Sequence, residues 1–180
     1  REPLMQNGVM VMLMFVCTEI MLFAGFISAF SIMRSSAMVW PPPGQPLLPA
    51  AETALNTVAL LGSGVALFTA GRAHRRHAPT ARRPLLAAVL LGGFFVLAQG
   101  REWVLLLAAG LTLTSSALGS FFYVIVGLHA LHATIAIGLV VHCYRRLMRG
   151  WLPPGLLGAA EVLWYFVVAV WPVLYWRLYL

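Results

Sequence analysis

Three ionisable side chains sit deep inside apolar stretches of this sequence: Glu19 in FVCTEIMLFAGFISAF at 15–30, and His129 and His132 in GLHALHA at 127–133. Burying an ionisable group in hydrocarbon is costly, so such residues are functional candidates by default. A carboxyl there can relay protons, hold the fold together as a neutral acid, or anchor a lipid or a partner subunit. No Arg lies within one helical turn of Glu19, so the neutral acid, able to donate a hydrogen bond, is the expected form. His129 and His132 are three apart and share one helix face. That spacing suggests haem or metal ligation, but paired axial histidines approach a haem from opposite sides, normally from two helices. His142, the other membrane histidine, is on the same helix, so no haem or metal bound by this chain alone is expected. HExxH, CxxC and GxGxxG are all absent.

Cys17 and Cys143 both lie in apolar runs and read as buried, inert thiols rather than a disulfide or a copper or zinc site. Glu102 stands beside Arg101 in AQGREW and reads as half of a solvated or interfacial pair. Glu161 reads as an acid in the first turn of the last helix, where the helix dipole favours it. Asn56 is a further candidate for polar support inside the bundle.

The elements that carry these residues follow from composition. Hydrophobic residues make up 61% of the 180-residue chain and charged residues 9%, and the mean hydropathy is +0.88. These values belong to an integral membrane protein. There is no Lys or Asp, and all twelve positive charges are Arg, which reads as short basic loops rather than a nucleic-acid surface. The expected fold is all-α: a polytopic helical bundle forming one membrane domain over 1–180, with no room for a separate soluble domain. The first apolar run is too long for a signal peptide and lacks a small-residue cleavage site. The chain opens on Arg1 rather than Met, which leaves its true N-terminus open.

Five apolar segments, at 8–33, 53–71, 84–100, 117–144 and 156–180, are each long enough to cross about 30 Å of hydrocarbon. The shorter apolar run at 104–111 is expected to dip into the interface within an outer loop at 101–116. Arg72, Arg75, Arg76, Arg82 and Arg83 fall after the second span and Arg145, Arg146 and Arg149 after the fourth. The positive-inside rule therefore places the N-terminus inside and the C-terminus outside. Trp40, Trp103, Trp151, Trp176 and Tyr179 lie near span ends, where interfacial anchors belong. Small residues at Gly62, Ala66 and Ala70, and at Ala24, Gly25, Ser28 and Ala29, predict close helix–helix approach.

Read in order, several blocks resemble subunit III of the haem–copper respiratory oxidases. TEIMLFAGF at 18–26 is similar to the family's glutamate-bearing helix, WPPPG at 40–44 to its WPPxG loop, and LNTVALLGSGV at 55–65 to its LNTxxLLxSGV helix. LAQGREW at 97–103, GSFFYVIVGLHALHATI at 119–135 and WYFVVAVW at 164–171 continue the match across nearly the whole chain. The resemblance implies an auxiliary subunit without haem or copper of its own, with both expected in partner subunits. Such a subunit packs on oxidase subunit I, holds phospholipid in a cleft and supports proton uptake while the complex reduces O2 to water. Glu19 falls on the family's reactive glutamate, and His129 and His132 on its paired histidines. The family commonly has seven helices, and the five here resemble its second group, the other pair being absent or supplied by another polypeptide.

Departures from the family pattern limit what is carried over. Ser28 and Ile32 replace a Trp and a His, Tyr165 and Val168 replace a His and an Asp, and the family's helix-opening glutamate aligns with Gly158, with Glu161 one turn on. The lost polar groups favour the lipid or structural reading of Glu19 over a proton relay. The expected setting is a proton-pumping cytochrome c oxidase of a bacterial inner membrane, among other oxidase subunits and within reach of a larger respiratory supercomplex. A quinol oxidase and a nitric-oxide-reductase accessory protein are the related alternatives. A transporter or channel is the alternative of another class, but it predicts inverted repeats and helices broken at the midplane, and no convincing repeat is present.

Overall fold

The computed structural model describes residues 7–40, 44, 46, 48–76 and 79–180. The prolines of the WPPPG block, at 41–43, lie outside the described residues. Five helices follow one another: α1 Asn7–Ser36, α2 Ala50–Arg75, α3 Arg82–Ala108, α4 Ala117–Met148 and α5 Pro154–Leu174, the last continuing as a π-helical turn over Tyr175–Tyr179. All five are long and apolar enough to cross a membrane, and no strand occurs among the described residues. The shortest α-helical stretch has 21 residues and the longest 32, or about 31 to 48 Å at about 1.5 Å per residue.

Local sequence sets the ends. The Ser116 side chain accepts from the Gly119 N–H at 3.1 Å and caps α4. Pro154, at the first position of α5, needs no partner for an N–H. Gly110 and Gly150 take φ of 92° and 79° one residue beyond the caps of α3 and α4. At each, the glycine N–H and the next residue's N–H turn back to the last helical carbonyls: Gly110 to Leu107, Leu111 to Leu106, Gly150 to Leu147 and Trp151 to Arg146. α3 thus runs unbroken to Ala108, and the outer loop expected at 101–116 shrinks to the residues after it. The helix continues past 100 because Glu102 and Leu106, about one turn apart, both face the bundle, and it ends where Gly110 takes positive φ. The basic segment likewise begins inside α2, whose last turn holds Arg72 and Arg75.

α5 packs against α1, α2 and α4, while α2 pairs with α3 and α3 with α4. Trp164 and Trp171 on α5, with Phe23, Phe30, Phe95 and Phe122 on the other helices, are the largest fully buried side chains. α1 is the least buried helix and turns Val16, Phe23 and Phe30, seven apart, toward the others. Ala24, Gly25, Ser28 and Ala29 are exposed, so the close approach expected there is not made. Large rings occupy the seam instead, with Phe23 on Phe166 at 5.8 Å. Of the stripe on α2, Ala70 is buried and Gly62 and Ala66 only partly; tight approaches between helices are instead at Gly64, Gly71, Gly92 and, against Val9 of α1, Gly158. Cys17 is exposed on α1, contrary to the expected buried thiol, because it points away from that seam, whereas Cys143 is buried.

A Cβ at Gly92 would lie 2.6 Å from Trp164 Cζ2 and 2.7 Å from Ile137 Cδ1, whereas one at Gly93 meets nothing within 4 Å. Gly92→Ala is therefore expected to cost about 1–3 kcal/mol through overpacking, and Gly93→Ala to be neutral or slightly stabilising. Thermal unfolding of the detergent-solubilised protein checks the pair, and equal shifts would refute the packing argument.

Candidate functional site

Glu19 lies on the α1 seam, three residues after Val16 and four before Phe23. Its side chain is 15% exposed and that of His132 on α4 8%, and Oε2 of Glu19 stands 3.1 Å from Nε2 of His132. The other ring nitrogen, Nδ1, is 2.7 Å from the Leu128 carbonyl oxygen. A backbone carbonyl can only accept, so Nδ1 carries the proton and Nε2 is left to face Glu19. The approach is close but out of line for a full hydrogen bond, and Oε2 has no better partner. With Nδ1 protonated, Nε2 is the atom through which the ring can accept a proton from Glu19 or return one to it. Phe15, Phe23 and Phe166 surround the imidazole at ring separations of 6.0, 5.9 and 5.7 Å.

His129 shares the face but not the partner. It is 1% exposed, lies against the Trp171 ring at 4.9 Å, and meets Phe23 and Phe95 edge-on at 6.3 and 6.4 Å. Neither of its nitrogens has a hydrogen-bond partner. Among the described residues no three His, Cys, Asp or Glu side chains converge as a metal site would require.

A second polar cluster lies where the C-terminal halves of α3 and α5 meet the start of α2. Glu102 is 3% exposed. It accepts from Tyr179 Oη at 2.8 Å and from Thr53 Oγ1 at 2.9 Å. Gln99 donates to the same Tyr179 oxygen at 3.2 Å and accepts from Asn56 Nδ2 at 3.3 Å. Glu102 is thus not paired with Arg101. Adjacent helical residues point about 100° apart, and Arg101 approaches Glu52 at the surface, at 3.7 Å. Tyr179, expected as an interfacial anchor, is buried in this cluster.

Glu161 also departs from its expected place. α5 begins at Pro154, which puts Glu161 in the second turn and beyond a capping role. Its Oε2 accepts from Arg75 Nη1 at 2.8 Å, joining α5 to α2 across Gly71, where a Cβ would collide with the carboxyl. The bundle therefore has polar clasps toward both ends and a lone acid–imidazole contact between α1 and α4.

Sequence reasoning missed Thr53, Gln99 and Tyr179 as site residues and missed the Glu19–His132 partnership. Two of the misses left a signal: Thr53 with Asn56, and Gln99 with Glu102, are polar pairs three apart on otherwise apolar helices, hence on one face each. Chemically, the groups assembled here can hold or exchange a proton at Glu19 and His132 and can fix helices to one another.

The family profile described as Cytochrome c oxidase subunit III matches residues 2–180. The chain is 33% identical over 181 residues to "Cytochrome c oxidase subunit 3" of Dasypus novemcinctus, covering 93% of this chain and 67% of that protein. It is 32% identical over 188 residues to the protein of the same name from Pelomedusa subrufa, and 34% over 191 residues to that of Tragelaphus oryx. In both cases 98% of this chain and 71% of the relative are covered.

Proposed function

Because the chain belongs to the cytochrome c oxidase subunit III family, a family of multi-pass membrane subunits that associate with other oxidase subunits, we propose that it is the non-redox auxiliary subunit of a proton-pumping haem–copper terminal oxidase. In this reading it stabilises subunit I, holds phospholipid and supports proton uptake during O2 reduction, in a bacterial inner membrane with its N-terminus inside. Haem and copper belong to the partner subunits. The family match along residues 2–180 carries the reading.

Three features of the bundle support it. The arginines of the α2–α3 and α4–α5 turns gather at one end, where His74 Nε2 lies 3.2 Å from the Leu152 carbonyl oxygen, as a cytoplasmic rim would. An apolar groove of about 560 Å³ between α1 and α5, lined by Leu13, Ile20, Phe23, Ala24, Phe166 and Val170, suits a lipid acyl chain. His132 faces Glu19 and His129 packs among aromatic rings, both on α4 with His142, rather than spread on opposing helices around a haem.

Purification in mild detergent tests the assignment. A haem–copper subunit I is expected to co-purify, and a stoichiometric haem band in the isolated chain would overturn the auxiliary role. Glu19→Gln tests the carboxyl. With Nδ1 of His132 donating to Leu128, Nε2 of the neutral ring can accept from a Gln amide much as from a protonated acid. Assembly and the first turnovers of O2 reduction are expected to change less than twofold, about 0.4 kcal/mol. Loss of the initial turnovers in this variant would instead make Glu19 part of the proton path.

A further inference from the structure

A cavity of about 190 Å³ lies between α3, α4 and α5, away from the Glu19–His132 contact, and its lining includes Gln99, Gly100, Trp103, His129, Thr134 and Trp171. Two of these side chains bring unmet polar atoms. His129 is 1% exposed with no partner at Nδ1 or Nε2, and the buried indole nitrogen of Trp103 has none either. A buried polar atom without a partner carries a penalty of about 1–3 kcal/mol, and three such atoms around one cavity call for an explanation.

Their chemistry specifies the occupant. The Trp103 indole can only donate, while a neutral imidazole offers one donor and one acceptor. Gln99 is held by Asn56 and Tyr179 and keeps one amide hydrogen to spare. The ligand must therefore accept at least twice and donate at least once. The lining has no carboxylate and no Arg to balance an ion. A hydrocarbon chain would leave every one of these groups unmet, and a lipid ester carbonyl would leave the imidazole acceptor unmet. We propose that this cavity is an internal hydration site, holding at least two water molecules that bridge Trp103 and His129. The volume holds several waters at about 30 Å³ each. Gly100 and Thr134 of its lining are exposed on α3 and α4, and water bridging of this kind replaces direct hydrogen bonds at little enthalpic loss.

The intact oxidase complex, reconstituted in nanodiscs, provides the test. A density map fine enough to show ordered water should contain at least two peaks in the cavity. One should lie within hydrogen-bond distance of Trp103 Nε1 and another within that distance of a His129 nitrogen. His129→Gln, which keeps a donor and an acceptor, should retain the second peak, and His129→Leu should lose it. A second measurement needs no substitution at 129. The Trp103 indole N–H, isolated as the ultraviolet resonance Raman difference between wild type and Trp103→Phe, should exchange in D2O and show the shift of a hydrogen-bonded indole. An acyl chain, a partner side chain or an empty cavity in the map, or a non-exchanging, unbonded indole, would each overturn the proposal.

Discussion

Replacing Trp171 with Ala is expected to lower stability by about 3–5 kcal/mol, the range for removing a large buried ring without refilling the space. Trp171 is fully buried. It packs on Phe95 of α3 at 5.0 Å and on His129 of α4 at 4.9 Å, and its indole donates to Thr57 Oγ1 of α2 at 2.9 Å. One side chain of α5 therefore touches three other helices. In a bilayer the gain does not come from leaving water, because lipid is as apolar as the core; it comes from dispersion contacts and directional bonds. Trp171→Phe keeps most of the contacts and gives up the hydrogen bond, so it should cost about 1 kcal/mol. Thermal unfolding in detergent, followed by near-ultraviolet circular dichroism, separates the two. If Phe were as damaging as Ala, the bond and not the packing would dominate.

Glu102→Leu is expected to be the most damaging single polar change, at about 2–4 kcal/mol. Thr53 Oγ1 can turn back to the Pro49 carbonyl, 2.9 Å away. Tyr179 has no such alternative, because its oxygen accepts from Gln99 and its own hydrogen is committed to Glu102. The stranded hydroxyl should release the π-helical turn at Tyr175–Tyr179 from α2 and α3. Hydrogen exchange at 175–180 should then rise by one to two orders of magnitude while exchange in α4 stays protected, since about 1.4 kcal/mol of local stability is a factor of ten. Glu102→Gln, whose amide can still bond both hydroxyls, should show a much smaller rise. Uniform loss of protection along the chain would refute the local role.

Hydropathy made the count of helices legible, and arginine asymmetry marked which ends lie together. Helix ends were harder. The stop of α3 depended on Gly110 reaching positive φ and on Leu111 folding back to Leu106, while the charged pair at 101–102 read as the start of an outer loop. Partnerships across helices were harder still. Arg101 and Glu102 are neighbours in sequence yet point to different faces, and Glu161 could be read as a cap only until the start of α5 was known. For Glu19, a window of one turn could not show a histidine 113 residues away on α4. The residues were identifiable from their burial in apolar runs, but their partners were set by how the helices pack.

The seam of α1 has a further consequence, for the order of events in the bilayer. Val16, Phe23 and Phe30 form a single row, while Met10, Met14, Met21 and Ile32 face outward. A helix fastened along one row contributes little to the mutual fit of the other four. We therefore expect α2–α5 to settle first and α1 to be laid on last, so that the meeting of Glu19 with His132 marks completion of the subunit. The outward methionines, adaptable in shape, would then be the surface that a neighbouring subunit or lipid finishes.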